Sequence, residues 1–149
     1  MRSFHLHSRS RSPQRVRAAA RERRGAAVVE FAVVAPLMIF LTLGMMEVGR
    51  MVMVKQLLVN ASREGARLAV LPGATSEQVE DQITQQLKSE SVVGATVTLS
   101  PTQISSATAG TPIKVTVSIP ASAVSWVPKP AFSVNTTLEA STTMRKESL

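Results

Sequence analysis

The chain has 149 residues, enough for one modest domain, and it contains no cysteine, which excludes disulfide and thiolate chemistry. Of its 17 basic and 10 acidic residues, eight arginines and one glutamate lie within residues 1–24, so residues 25–149 carry nine of each sign. The formal net charge of +7 therefore belongs entirely to the N-terminal segment. A basic surface on a folded domain, and with it a nucleic-acid partner, is not indicated.

The N-terminal segment, residues 1–25, is rich in Arg, Ser and Ala and has few bulky apolar residues. Such a composition cannot bury a core, so we expect this basic leader to be disordered. Three functions fit it: an Arg–Ser tract that binds RNA, an organelle transit peptide, or the cytoplasmic flank of a membrane segment. The sequence that follows the leader favours the membrane flank.

An apolar run follows the leader, and it is long enough to cross a bilayer. Residues 31–46 carry no charge, and the run extends back to Ala26 with Glu30 as its one interruption. A helix of this length spans roughly 30 Å, the thickness of a hydrocarbon core. Pro36 predicts a kink within the span rather than its end. The alternative is a buried helix of a soluble domain.

A cleaved secretory signal is a second alternative for the same run. Such signals end in small residues just after the apolar stretch, and the following "EVGRMVMVKQ" offers no such site. We therefore expect the helix to remain in the protein, embedded over about residues 26–48. The arginine-rich flank predicts a cytoplasmic N-terminus and a C-terminal domain outside.

The helical pattern continues beyond the membrane, so one helix is predicted over residues 26–71. Its apolar positions recur every three or four residues: Val54, Leu57, Leu58, Ala61, Gly65 and Leu68. Polar residues line the other side: Gln56, Asn60, Arg63 and Arg67. Two pairs have the i,i+3 spacing that supports a helix, Glu47 with Arg50 and Glu64 with Arg67. The seam at Ala61 and Gly65 docks onto the protein's own C-terminal domain, permits close helix contact in an assembly, or does both at different heights along the helix.

Residues 75–149 are predicted to form a small outer domain. Residues 75–89 indicate a helix that starts with a capping box of Thr75 and Gln78. Three β-prone stretches follow, at residues 95–100, 113–119 and 132–142, and a long loop at 120–132 contains Trp126 as a packing anchor. The expected fold class is α+β: a long transmembrane helix followed by a helix-plus-antiparallel-sheet head, in the lollipop shape of a pilin.

Motifs for catalysis are missing from the sequence. Both histidines, His5 and His7, lie in the leader, and no metal-ligand cluster or Gly-rich phosphate loop is present. We therefore expect no enzyme activity, no cofactor, no metal and no small-molecule substrate.

The junction "RRGAAVVEF" resembles a type IV prepilin cleavage site, where a basic leader ends in Gly and a Glu is the fifth mature residue. The longer stretch from Gly25 to Val70 resembles the TadE-like family of pilin-like proteins, which belong to the tight-adherence (Flp) pilus machinery. The resemblance rests on the G-x-x-x-x-E-F motif, on Pro36 with the Glu47–Gly49–Arg50 spacing, and on "NASREGAR" from Asn60 to Arg67.

The resemblance implies cleavage after Gly25 by a prepilin peptidase, which would leave a charged amine on Ala26. Glu30 of one subunit would then pair with that amine on a neighbour, whereas on its own the carboxylate would snorkel to the headgroups or take up a proton. Other pilins, pseudopilins and inner-membrane assembly proteins are the implied partners, beside the lipid bilayer. The implied location is the inner membrane of a bacterium, and the implied role is that of a minor component.

Two other functions remain open at this stage. One is a single-pass membrane protein whose outer domain binds a ligand or partner, with no pilus involved. The other is an RNA-associated or transit-targeted protein explained by the leader. The mature N-terminus separates them, because only the pilin-like function requires cleavage after Gly25.

Overall fold

A single long helix begins the computed structural model, which describes residues 13–125 and 136–147, with side chains from Gly25 onward. Helix α1 spans Pro13–Ala69 and continues through Pro36. Helix α1 ends at Ala69, two residues before the predicted end at residue 71. Gly73 adopts a positive φ of 77° in the turn that follows, where the Ala74 N–H donates to the Leu71 carbonyl (3.3 Å). That left-handed conformation suits glycine.

The helix begins earlier than the sequence indicated. Residues 13–25 were expected to be disordered, yet their backbone belongs to α1. The segment "RVRAAARERR" consists mainly of Ala and Arg, which are strong helix formers, and Pro13 suits the first helical position. An apolar helix that is already formed can extend into such a segment without a new nucleus. Residues 1–12 of the leader lie outside the described part of the chain.

The second helix, α2, spans Ser76–Ser89 and begins as predicted. The backbone N–H of Gln78 donates to the Thr75 hydroxyl (3.3 Å), and the Thr75 N–H donates to the Gln78 side chain (3.2 Å). This reciprocal pair is the capping box expected from the sequence. The apolar stripe of α2, formed by Val79, Ile83 and Leu87, is buried.

Three strands form an antiparallel sheet in the order β1-β2-β3, namely Thr96–Ser100, Pro112–Pro120 and Thr137–Arg145. The first two agree with the predicted strands to within a residue. The third was predicted at 132–142 and spans Thr137–Arg145. Residues 132–135 lie outside the described part of the chain, and pairing with the full length of β2 carries the strand three residues beyond the predicted end, to Arg145. A short helix, α3 (Ala121–Val124), follows β2 where only a loop was expected. Trp126 lies outside the described residues.

The core lies between the two long helices and one face of the sheet. It contains buried residues from α1, α2 and all three strands, including Val54, Leu58, Ile83, Leu99, Ile113, Val115, Val117 and Ala140. Side chains alternate along β2, with odd-numbered residues buried and Lys114 exposed on the other face. The sheet therefore has one face covered by the helices and one face toward water.

The chain divides into two compact units, Met1–Thr42 and Leu43–Leu149. We call the second the head unit; it contains the last part of α1, both other helices and the sheet. The α+β fold class expected from the sequence is confirmed: a long N-terminal apolar helix precedes a small helix-plus-sheet domain.

Candidate functional site

The most unusual surface of this protein is the apolar face of α1. Large apolar side chains are exposed all along the stretch from Val28 to Met53, among them Phe31 at 72% and Met45 at 68% exposure. Gly25–Ala69 contains a window that is long and apolar enough to cross a membrane, and none of that window is buried. Exposing one such side chain to water costs about 1.5–3 kcal/mol. This surface therefore requires a cover of lipid or of other apolar helices.

Glu30 is exposed and lies near the start of this apolar stretch. Four residues along a helix correspond to about 6 Å of axial rise, so the carboxylate lies about one turn beyond Ala26. The apolar neighbours of Glu30, Val29 at 65% and Phe31 at 72%, are exposed as well. Among the residues whose side chains the structure describes, from Gly25 onward, none forms an ion pair with Glu30. Within that part of the chain, Glu30 is a carboxylate on a lipid-compatible surface.

Gly25 and Ala26 are exposed within the same helix. A Cβ built on Gly25 meets nothing within 4 Å. Glycine is about 1 kcal/mol worse than Ala in a helix interior, so the helix is locally weaker at this position.

Two further polar features lie along the exposed stretch. Pro36 lacks an N–H, so the carbonyl of Ala32 loses its usual helical partner. The Thr42 hydroxyl donates to the carbonyl of Met38 (2.8 Å), which satisfies it without a second chain. Whether the helix kinks at Pro36 stays a prediction.

The next predicted group, Glu47, Gly49 and Arg50, lies at the start of the head unit. Glu47 and Arg50 are half-buried and Gly49 is exposed. The Arg50 Nε donates to the backbone carbonyl of Val124 (2.6 Å), which ties α1 to the short helix α3. A charge-assisted bond of this kind is worth about 1.5–3 kcal/mol. The sequence contained no sign of this contact, because Val124 is 74 residues away.

The predicted interface residues between Asn60 and Arg67 lie on two sides of α1, one exposed and one facing the core. Asn60, Arg63 and Arg67 are exposed, and Glu64 is half-buried. Gly65 is buried, and a Cβ built on it would lie 2.3 Å from Ile83 Cδ1 and 3.4 Å from Val115 Cγ1. The structure thus decides one open question: the seam at Gly65 packs against the protein's own α2 and β2.

Sequence reasoning missed the polar contacts that join α1 to β3. The buried Ser62 hydroxyl donates to the carbonyl of Val59 (2.9 Å) and lies 2.9 Å from the Thr142 hydroxyl. The Lys55 ammonium donates to the carbonyl of Glu139. One signal for Ser62 was present, since a polar residue adjoining the apolar stripe must find a partner when buried.

A groove of about 330 Å³ lies between the C-terminal end of α1 and the first half of α2. It is lined by residues such as Leu68, Leu71, Pro72 and Gln82. Its lining carries no ionisable side chain. Within the described residues, no group of three or more His, Cys, Asp or Glu is placed to hold a metal. The groove therefore offers no acid, base or nucleophile for chemistry.

The part of the chain that resembles known proteins includes the exposed apolar stretch of α1. Residues 25–67 match the model of the family described as TadE-like protein. The matched segment runs from the exposed Gly25 to the end of the seam that contains Gly65. The family is one of structural, non-enzymatic pilin-like proteins. No curated protein and no solved structure matches the chain.

Proposed function

Because residues 25–67 carry a TadE-like segment, we propose that this protein is a pilin-like structural subunit of a tight-adherence (Flp) pilus assembly or secretion machine. In this function a prepilin peptidase cuts after Gly25, and the mature chain joins other pilins through α1. Its role is that of a minor component that contacts inner-membrane assembly proteins.

The observation that carries the proposal is the isolated Glu30 on an exposed, membrane-length helix. A charge inside a membrane segment costs a few kcal/mol, so it persists only where it has a purpose. After cleavage, the Ala26 ammonium of a neighbouring subunit supplies the missing partner. The apolar side chains around Glu30 would then pack against neighbouring helices or lipid, since both are equally apolar surroundings.

The proposed location is the inner membrane, crossed once by α1. The eight arginines of the leader keep residues 1–24 in the cytoplasm, and residues 75–149 lie outside. This orientation presents the bond after Gly25 at the cytoplasmic surface of the bilayer.

Processing provides the first test. We expect mass spectrometry of the membrane-extracted protein to show Ala26 as the N-terminus. Removal of residues 1–25 leaves nine basic and nine acidic side chains, so the pI falls from 11.1 to near neutrality. Gly25→Val is expected to block the cut, because a branched side chain obstructs close approach to the scissile backbone.

Gly44→Val is the matched control for this test. It places the same side chain in the same helix at a second glycine where a built Cβ meets nothing within 4 Å. We expect normal cleavage of this variant. An intact Met1 on the unaltered chain, in cells with an active prepilin peptidase, contradicts the proposal.

Topology provides the second test. A phosphatase reporter that folds only outside the cytoplasm, fused after Leu149, is expected to be active because the arginine-rich flank holds the N-terminus inside. Replacing the leader arginines at 15, 17, 21, 23 and 24 with Gln is expected to lower that activity and to yield chains of mixed orientation. Activity of the fusion only with a cytoplasmic reporter reverses the assigned orientation.

A further inference from the structure

We propose that head units of successive copies join edge to edge, with β3 of one copy pairing in parallel with β1 of the next. The inference rests on the proposed function, in which copies of this chain lie side by side in one membrane. The occupant proposed for the β3 edge is a second copy of this chain.

The first observation is the direction of the backbone groups at the two sheet edges. The N–H of Lys146 donates to the carbonyl of Thr111 (3.0 Å), and the N–H of Ala121 donates to the carbonyl of Thr136 (2.8 Å). Even-numbered residues of β3 therefore point toward β2, and odd-numbered residues point outward. By the same alternation, odd-numbered residues of β1 point away from β2.

Both edges leave hydrogen-bonding groups unused. Near the centre of the two edges, the outward residues are Ser141 and Thr143 on β3, and Val97 and Leu99 on β1. In the described part of the chain, their outward N–H and C=O groups have no hydrogen-bond partner. Elsewhere on the β3 edge, the outward carbonyl of Glu139 accepts from Lys55 of the same chain. Exposed edges of this kind are templates for another strand.

The two edges fit each other in parallel register. With Ser141 opposite Thr98 of the second copy, the Ser141 N–H donates to the Val97 carbonyl and the Leu99 N–H donates to the Ser141 carbonyl. The faces also agree: Ser141 and Thr98 are exposed, whereas Ala140 and Leu99 are buried. The joined sheet keeps one apolar face and one Ser/Thr face. Because β1 carries no charged residue, no like charges meet.

Charges on α2 supply the second observation. Gln78 and Gln82 line the groove shared with Leu68 of α1. Successive residues are about 100° apart around a helix, so Glu77 and Glu80 lie on the side of α2 turned away from α1. Both carboxylates are exposed.

The complementary charges are on α1. Gly65 faces Ile83 of α2, and Arg63, two residues earlier, lies on the opposite side of the helix. Lys55 reaches the β3 edge through the Glu139 carbonyl. When β3 pairs with β1 of the next copy, these exposed cations lie beside the acidic side of the neighbouring α2. Opposite charges across such a contact fix its register.

The absence of cysteine makes a clean test available. Full-length Thr98→Cys and Ser141→Cys chains, carrying tags of different size, are co-expressed in membranes and treated with a short crosslinker that reacts with two thiols. We expect a mixed dimer from the pair and none from either variant alone. In the control, Thr116→Cys replaces Thr98→Cys. Thr116 lies opposite Thr98 in the central strand, one strand spacing further from Ser141 of the other copy. We therefore expect at least about tenfold less crosslinked product from the control pair.

An edge-blocking variant gives an independent readout. Ser141→Pro removes an outward N–H that β2 does not use, so the head unit still folds, since proline is tolerated on edge strands. Ser141→Pro should lower co-purification of two differently tagged copies about tenfold, because one hydrogen bond between the copies is lost and the proline ring clashes with the neighbouring strand. Ser141→Ala retains the N–H and leaves co-purification unchanged.

Three results overturn the inference: no mixed dimer in membranes where both variants are inserted, a crosslinked dimer in the sample that contains the Ser141→Cys chain alone, or capture of a different protein by Ser141→Cys. The N-terminus of each variant is sequenced in the same samples. Cleavage after Gly25 without the mixed dimer refutes the edge pairing while leaving the proposed function intact.

Discussion

Glu30→Ala is expected to produce a stable, membrane-inserted protein that does not join its pilus partners. Removing a charge from an apolar helix does not hinder insertion. If Glu30 pairs with the Ala26 ammonium of a neighbour, the substitution leaves that ammonium unpaired in a poorly solvated site. Loss of one member of a buried pair costs about 3–5 kcal/mol, which weakens subunit association by on the order of a hundredfold or more. Crosslinking between subunits and surface adhesion measure the loss.

The controls for Glu30 separate charge from shape. Glu30→Gln keeps the shape and loses the charge, so it should behave like Glu30→Ala. Thr42→Ala removes a polar group of the same helix whose hydroxyl is already satisfied by Met38, and assembly should not change. On a Gly25→Val background no free Ala26 amine exists, so Glu30→Ala should add little further loss. Normal assembly of Glu30→Ala would mean that the carboxylate only reaches for the headgroups.

Gly65→Val is expected to destabilise the head unit by at least about 3 kcal/mol. Even the Cβ of an alanine would lie 2.3 Å and 2.9 Å from two carbons of Ile83. Overpacking a well-filled core costs about 1–3 kcal/mol, and the two methyl groups of valine extend further into the same contact. Thermal unfolding of the detergent-solubilised chain, followed by circular dichroism, should show a markedly lower Tm, with earlier hydrogen exchange at β2 amides.

Two variants identify the contact that is responsible. Gly49→Ala adds a methyl group at an exposed helical glycine with open surroundings, so it should be neutral or stabilise by up to about 1 kcal/mol. Ile83→Val removes the carbon nearest to the built Cβ, and it should make Gly65→Ala less costly than the sum of the two single changes. A Gly65→Ala chain as stable as Gly49→Ala would refute close packing of α1 on α2.

Features that depend only on residues close together in the chain were determined by the sequence alone. The membrane-length run, the end of α1 before Pro72, the capping box at Thr75 and the alternation in β2 all depend on residues within one or two turns, or within one strand. The isolated Glu30 is also of this kind, since its meaning comes from the neutral residues beside it. These elements needed no knowledge of distant contacts.

The end points of some elements depended on more than their own residues. Strand β3 was expected at 132–142, but β2 provides partners as far as Arg145, and pairing rather than local propensity defines where a strand stops. The leader was expected to be disordered from its composition. It is helical from Pro13 because the adjoining helix removes the cost of nucleation.

Only the tertiary structure decided what the seam of α1 touches. A small residue at position 65 permits close approach to the protein's own core and to a neighbouring subunit equally well. No residue pattern in the sequence distinguishes these two contacts. Packing settles the matter, because Ile83 and Val115 already occupy the space beside Gly65. The contacts of Arg50 with Val124 and of Ser62 with Thr142 were inaccessible for the same reason: each joins residues more than 70 positions apart, and such pairs meet only when the sheet closes on the helices.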